Sequence, residues 1–146
     1  MKKAILVVTV FLTALTFSCS SDDDGNNDIV LGKWKLEQTY TNDVSENISD
    51  CVKKSTMVFH DSGSLVIQPY DMVQQGSENV CDSQGTQSGF WKNLGKENKY
   101  EFTIGHGDNP EKGTVTIVVE GNRLTKSSTF IEEGKESVFK EVFQKQ

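Results

Sequence analysis

From Cys19 to its end the sequence contains no alanine; both alanines, Ala4 and Ala14, precede it. Alanine is the strongest helix former, so a helical bundle or a doubly wound α/β fold is not expected. Clusters of Lys and Arg are also missing. The full chain has 15 basic against 21 acidic residues, a formal charge of −6. That balance excludes a nucleic-acid partner, which needs a basic footprint. Histidine is scarce: His60 stands beside Asp61, and His106 lies near Asp108 in a Gly-rich stretch. Neighbouring strand residues point to opposite faces, so His60 and Asp61 are badly placed to act together. There is no Gly-x-Ser-x-Gly, no His-Glu-x-x-His and no phosphate loop. No catalytic residue, metal or cofactor is expected, and the chain is read as a non-enzyme.

A long apolar run is lacking too. Residues 4–17 are apolar except for three Thr, which is short of the ~20 residues of a spanning helix. They follow Met1-Lys2-Lys3 and lead into Ser18-Cys19. A basic start, an apolar stretch and a small residue before the cut describe a secretory signal over 1–18. Ser18-Cys19 resembles a bacterial lipobox. That resemblance implies that Cys19 becomes the lipid-bearing N-terminus and ties the protein to a membrane. Residues 19–27 then form an acidic tether, with Asp22-Asp23-Asp24 at its centre, too polar to build a core. Asp22-Asp23-Asp24 resembles the export tag of surface-exposed lipoproteins, but a solvated linker would look the same, so either face of the outer membrane is compatible. Removing Lys2 and Lys3 leaves 13 basic and 21 acidic residues, a mature charge of −8.

What is present is β-forming. Val, Ile, Thr, Phe, Trp and Tyr make up 38 of the 128 residues from Cys19 onward, and such residues fit pleated surfaces. Alternation of period two recurs over 33–40, 55–60, 64–69, 88–94, 100–104, 114–119, 123–130 and 138–143. Trp34, Leu36, Gln38 and Tyr40 are placed on one inward face. Phe90 is placed inward with Leu94, and Trp91 opposite. Asp61-Ser62-Gly63, Gly95-Lys96-Glu97-Asn98, Gly121-Asn122 and Glu132-Glu133-Gly134 are hairpin signals. Eight sequential antiparallel strands predict an all-β, up-and-down barrel over 28–146. Closure removes the edges that a two-sheet sandwich, the next candidate, would leave open.

Two connections, 41–54 and 70–87, are long, and each carries one cysteine. With Cys19 assigned to lipid and an oxidising compartment, Cys51 and Cys81 are expected to pair. In an up-and-down order both connections leave from the same end, so the bond would staple that end.

Gly32-Lys33-Trp34 at the start of the first strand resembles the opening motif of lipocalins. There the Trp closes the barrel's base and an Arg from a late strand packs over it; Arg123 is the candidate. The ordered set of lipobox, acidic tether, Gly-Lys-Trp-Lys-Leu, Phe59-His60-Asp61-Ser62-Gly63, Gly89-Phe90-Trp91 and Asn122-Arg123-Leu124-Thr125 resembles lipocalin-like lipoproteins of the Bacteroidetes. The resemblance implies a barrel in the envelope and supplies no ligand. A monomer is expected. Trp34, Leu36, Gln38, Tyr40, Phe59, Phe90, Tyr100 and Phe102 are the candidates for lining a site for a small, partly apolar molecule. They are equally the candidates for a filled core. A ligand-binding barrel would hold an interior pocket of ~300 Å³ or more. A solid one would act instead as an interaction or inhibitor protein, through loops 41–54 and 70–87.

Overall fold

The computed structural model describes residues 28–105 and 109–146. The signal 1–18, Cys19, the tether and the pair His106 and Asp108 lie outside the described residues.

The described chain is all-β, with strands β1 (Gly32–Thr41), β2 (Val44–Ser45), β3 (Thr56–Phe59), β4 (Ser64–Gln68), β5 (Tyr70–Gln75), β6 (Glu78–Ser83), β7 (Gln87–Asn93), β8 (Lys99–Ile104), β9 (Glu111–Glu120), β10 (Arg123–Glu132) and β11 (Lys135–Lys145). A single 3-10 turn, Val52–Lys54, interrupts them. Eight of the strands form a closed antiparallel barrel in the order β1-β3-β4-β7-β8-β9-β10-β11, with β11 returning to β1. The eight stretches of period-two alternation are these eight strands. β2 is a short strap folded back on the end of β1. β5 and β6 form a separate hairpin outside the barrel wall. That hairpin lies in the connection 70–87, where no strand was expected.

The barrel has two unlike ends. Its base is sealed by the chain entering at Asp28–Leu31. The buried Trp34 indole N–H donates to the Val30 carbonyl at 2.6 Å. The Asp28 carboxylate accepts from the Tyr100 hydroxyl at 2.7 Å and from the Val30 N–H at 3.2 Å. Above this seal Phe59, Trp91 and Phe102 pack with Leu65, Ile117 and Leu124. Phe59 meets Trp91 edge to face at 5.6 Å, the geometry aromatic quadrupoles favour. The lower half of the barrel is therefore solid.

Four inward assignments are corrected. β1 shifts register against β11 between Leu36 and Gln38. A β-bulge of this kind flips the side chains that follow it. Thr39 is the residue that turns inward and is buried, while Gln38 and Tyr40 turn to the outer face. Gln38 there donates to Ser45 Oγ at 3.0 Å and to the Glu46 carbonyl, holding the strap. In β7 the phase is the reverse of that expected: Trp91 is buried, and Phe90 is 61% exposed, with Leu94 also outside. Gly89 sets the phase. A Cβ on Gly89 would lie 2.0 Å from the Thr103 carbonyl oxygen, so the inward position beside β8 accepts only glycine.

Arg123 does not cover Trp34. Leu124 takes the inward position opposite Phe143, so Arg123 points out and pairs with Glu37 at 2.9 Å. Lys145 covers the indole instead, its Nζ 5.1 Å from the ring centroid. Gly32, at φ +115°, leaves room for it: an added Cβ there would touch Lys145 Cε at 3.4 Å.

Candidate functional site

The opposite end carries the connections between β1 and β3, β4 and β7, β8 and β9, and β10 and β11. Two of them fold over the opening. The first is the strap and 3-10 turn, residues 42–55. Glu46 anchors it: its carboxylate accepts from the Thr39 hydroxyl at 2.8 Å and the Thr41 hydroxyl at 2.6 Å. Those hydrogen bonds, Thr41's first, hold the Glu46 carboxyl below the ordinary Glu value, because they favour the charged form. The second cover is the β5–β6 hairpin. Its first N–H, from Tyr70, donates to Ser55 Oγ at 2.9 Å.

A disulfide joins the two covers. Cys51, at the start of the 3-10 turn, is bonded to Cys81 of β6, with Cα atoms 5.4 Å apart. It closes a loop of 30 residues, worth ~3–4 kcal/mol in the chain-entropy account. The pairing expected from the cysteine positions is the one found.

Beneath the covers lies a cavity of about 250 Å³. Leu36, Met57, Ile67, Phe139 and Phe143 supply its apolar wall; Val52, Ser55, Tyr70 and Asp71 come from the covers. Lys126 and Glu141 also line it, from directly opposed positions on β10 and β11. Their charged ends are in contact, and their side chains are only 18% and 20% exposed. The site is thus an apolar pouch with an ion pair on one wall and a hydroxyl, from buried Thr39, on another. A larger hollow of about 360 Å³, bordered by Lys35, Glu37, Lys53, Gln144 and Gln146, is an open dent on the outer surface.

Of the residues proposed from the sequence, Leu36 alone lines the cavity. Trp34, Phe59, Tyr100 and Phe102 are buried in the solid base, and Gln38, Tyr40 and Phe90 lie on the outer wall. Burial, and then Asp28's hydrogen bond and negative charge, raise the Tyr100 phenol above its ordinary value, so it stays neutral. Lys126 and Glu141 were missed because charge in a strand reads as solvent face. Their phase carries the signal: Lys126 is two residues from inward Leu124, and Glu141 sits between inward Phe139 and Phe143.

His60 is exposed at the base turn, on the far side of the barrel from the cavity, and its carbonyl accepts the Trp91 indole N–H at 3.0 Å. Among the described residues no three His, Cys, Asp or Glu side chains gather as metal ligands. No protein-family model matches the chain, and no curated protein matches it.

Proposed function

We propose that this protein is an envelope-anchored, lipocalin-like lipoprotein that holds a small, partly apolar molecule in the cavity beneath the stapled covers. The cavity carries the reading. Inside the barrel close packing gives way here, and the mainly apolar lining carries the Lys126–Glu141 pair and Asp71. At about 250 Å³ the cavity falls short of the ~300 Å³ or more expected of a ligand-binding barrel. The ligand is therefore compact, or only one end of a longer molecule enters. A polar group on it would meet Lys126, Glu141 and the Thr39 hydroxyl; its apolar body would lie against Met57, Ile67 and Phe143.

The position of the chain's entry gives the anchored reading an orientation. Asp28 sits at the base, so a lipid on Cys19 would hold the base toward the membrane and leave the covered mouth facing away. Several acyl chains on one cysteine hold a protein firmly, since each buried CH₂ contributes ~0.8 kcal/mol.

Two experiments test this. Cys19→Ser should move the protein from the membrane fraction to the soluble one; continued membrane association would sink the anchor. Methyl NMR of protein stripped by denaturation and refolding should show Met57, Ile67 and Leu36 signals shifting when an apolar extract of the envelope is added. Shifts confined to outer-wall residues such as Val118 would overturn the cavity as the site.

A further inference from the structure

The barrel wall is not hydrogen-bonded over its whole height. β9 and β10 are paired only from Glu120↔Arg123 to Thr116↔Ser127. Above that, β9 continues through Glu111–Val115 on β8 alone, and β10 continues through Ser128–Glu132 on β11 alone. The two strands part toward the mouth, each with one free edge.

The orientation of the backbone groups along these edges follows from neighbouring bonds. The Asn42 N–H donates to the Val138 carbonyl at 2.9 Å, and the Val138 N–H donates to Asn42 Oδ1 at 2.9 Å, so Val138 presents its main chain toward β1. Thr129, its partner across β10 and β11, therefore turns its own N–H and C=O away from β11. By the two-residue period Ile131 does the same. On β9 the Ile117 N–H donates to the Asn98 carbonyl, on the β8 side, at 2.9 Å. Lys112 and Thr114, in the opposite phase, face the gap. The main-chain groups of Lys112, Thr114, Thr129 and Ile131 thus point into the opening without a backbone partner among the described residues.

An exposed edge of this kind is usually blunted by proline, a bulge or a covering loop, because it templates another strand. Among the described residues the β10 edge carries none of these, and it is flanked by apolar side chains: Ile131 is 76% exposed on the outer face and Phe130 is 39% exposed on the inner one. On the β9 side Gly113 contributes no side chain, and a Cβ there would meet nothing within 4 Å. The charges around the opening are mostly negative: Glu111, Glu132, Glu133 and Glu136 against Lys112 and Lys135.

We infer that the β10 edge, Ser128–Glu132, is a strand-addition site for an extended segment of a partner protein in which apolar and basic residues alternate. Main-chain bonds to Thr129 and Ile131 supply the affinity. On the added strand apolar and basic side chains fall on opposite faces, so the apolar ones pack on Ile131 at the outer face and the basic ones meet Glu132, which shares the inner face with Phe130. A whole second barrel is a poorer occupant, because the β9 edge walls the opening on its other side. The site is separate from the cavity, and the proposal does not rest on the cavity being filled.

The test uses end-capped peptides of alternating lysine and valine with the ¹⁵N-labelled protein. Saturating peptide should slow amide exchange at Thr129 and Ile131 and leave Met57 and Ile67 unchanged. N-methylation of the peptide's alternate amides should weaken binding more than about tenfold, since each lost hydrogen bond is worth about 1 kcal/mol. A glutamate–valine peptide should bind more weakly than the lysine one. Thr129→Pro removes a donor that faces the gap and spares the β11 ladder, so the barrel should fold and lose about fivefold or more in affinity. The proposal fails if saturating peptide leaves the two amides unprotected, or if N-methylated or acidic peptides bind equally well. It also fails if the edge is protected without peptide in a species with the mass of two chains, which would make the occupant a second copy.

Discussion

Lys126 and Glu141 are a poor bargain for stability, and that gives a sharp expectation. Their side chains are 18% and 20% exposed, and they face each other across β10 and β11 at the cavity wall. Breaking a fully buried pair by removing one partner costs about 3–5 kcal/mol, because a charge is left without compensation. Residual solvent here reduces that to roughly 2 kcal/mol for Lys126→Met, which keeps the aliphatic stem and removes the charge. Replacing both, as Lys126→Met with Glu141→Met, removes both desolvation penalties along with the attraction. The double variant should lie within about 1 kcal/mol of the wild type or exceed it. Urea unfolding of the four proteins of the cycle measures this. In a domain of this size roughly 4 °C of melting temperature accompanies each kcal/mol, so Lys126→Met should melt about 8 °C lower and the double variant near the parent. If Lys126→Met alone costs less than about 0.5 kcal/mol, the pair is screened and the cavity wall is wet. If the double variant falls more than about 2 kcal/mol below the wild type, the pair is a structural keystone. Either result removes the argument that it is kept for what the cavity holds.

The other perturbations address the covers, the wall and the base. Changing Cys51 and Cys81 together to Ser should lower stability by ~3–4 kcal/mol in urea and open the hairpin 70–83 to limited proteolysis; unchanged cleavage would mean the covers stand without the staple. Gly89→Ala places a methyl 2.0 Å from the Thr103 carbonyl oxygen, and should cost ~3 kcal/mol or more or prevent folding; a normal melting curve would show that β8 yields easily. The Tyr100 phenol is held above its ordinary value of 10.0, so native protein keeps a proton there that the unfolded chain releases. That stability is fully present below pH 10 and is lost as pH rises beyond it; Tyr100→Phe should flatten the alkaline loss, and an unchanged pH profile would exclude Tyr100 as its source. Glu46 has the opposite sign: its lowered carboxyl favours the folded strap above the ordinary value of 4.5, and this is lost as pH falls through the folded value. Protection factors of the strap amides, taken against the intrinsic exchange rate at each pH, should fall on acidification in the wild type and not further in Glu46→Gln.

The strand order was legible because each barrel strand buries one face, so period-two alternation is imposed on the sequence by packing. The staple was legible because two cysteines fell in two long connections at one end. The phase within strands was less so. Gln38 and Tyr40 follow Leu36 without a break in alternation, and nothing such as Gly or Pro marks the bulge that turns Thr39 inward. Phe90 and Trp91 are adjacent aromatics of equal apolar weight. What decides between them is the backbone of β8 beside Gly89, a long-range contact. The β5–β6 hairpin is largely polar because it packs on little, although Gly76-Ser77 sits at its turn; Met72↔Cys81 and Val73↔Val80 are its apolar pairs. Arg123 and Lys145 are both cations near the base, and strand register alone picks Lys145. The cavity was beyond the sequence, since a gap between side chains belongs to no residue.

The central claim is that the pouch under the stapled covers exists to hold a compact molecule. Native mass spectrometry of the protein purified from the cells that make it gives the most direct test. A retained mass that fits about 250 Å³ is expected, lost on denaturation and lost from the folded Lys126→Met, Glu141→Met double variant. A wild-type protein with no retained second mass under gentle conditions would contradict it and leave the barrel as an interaction module.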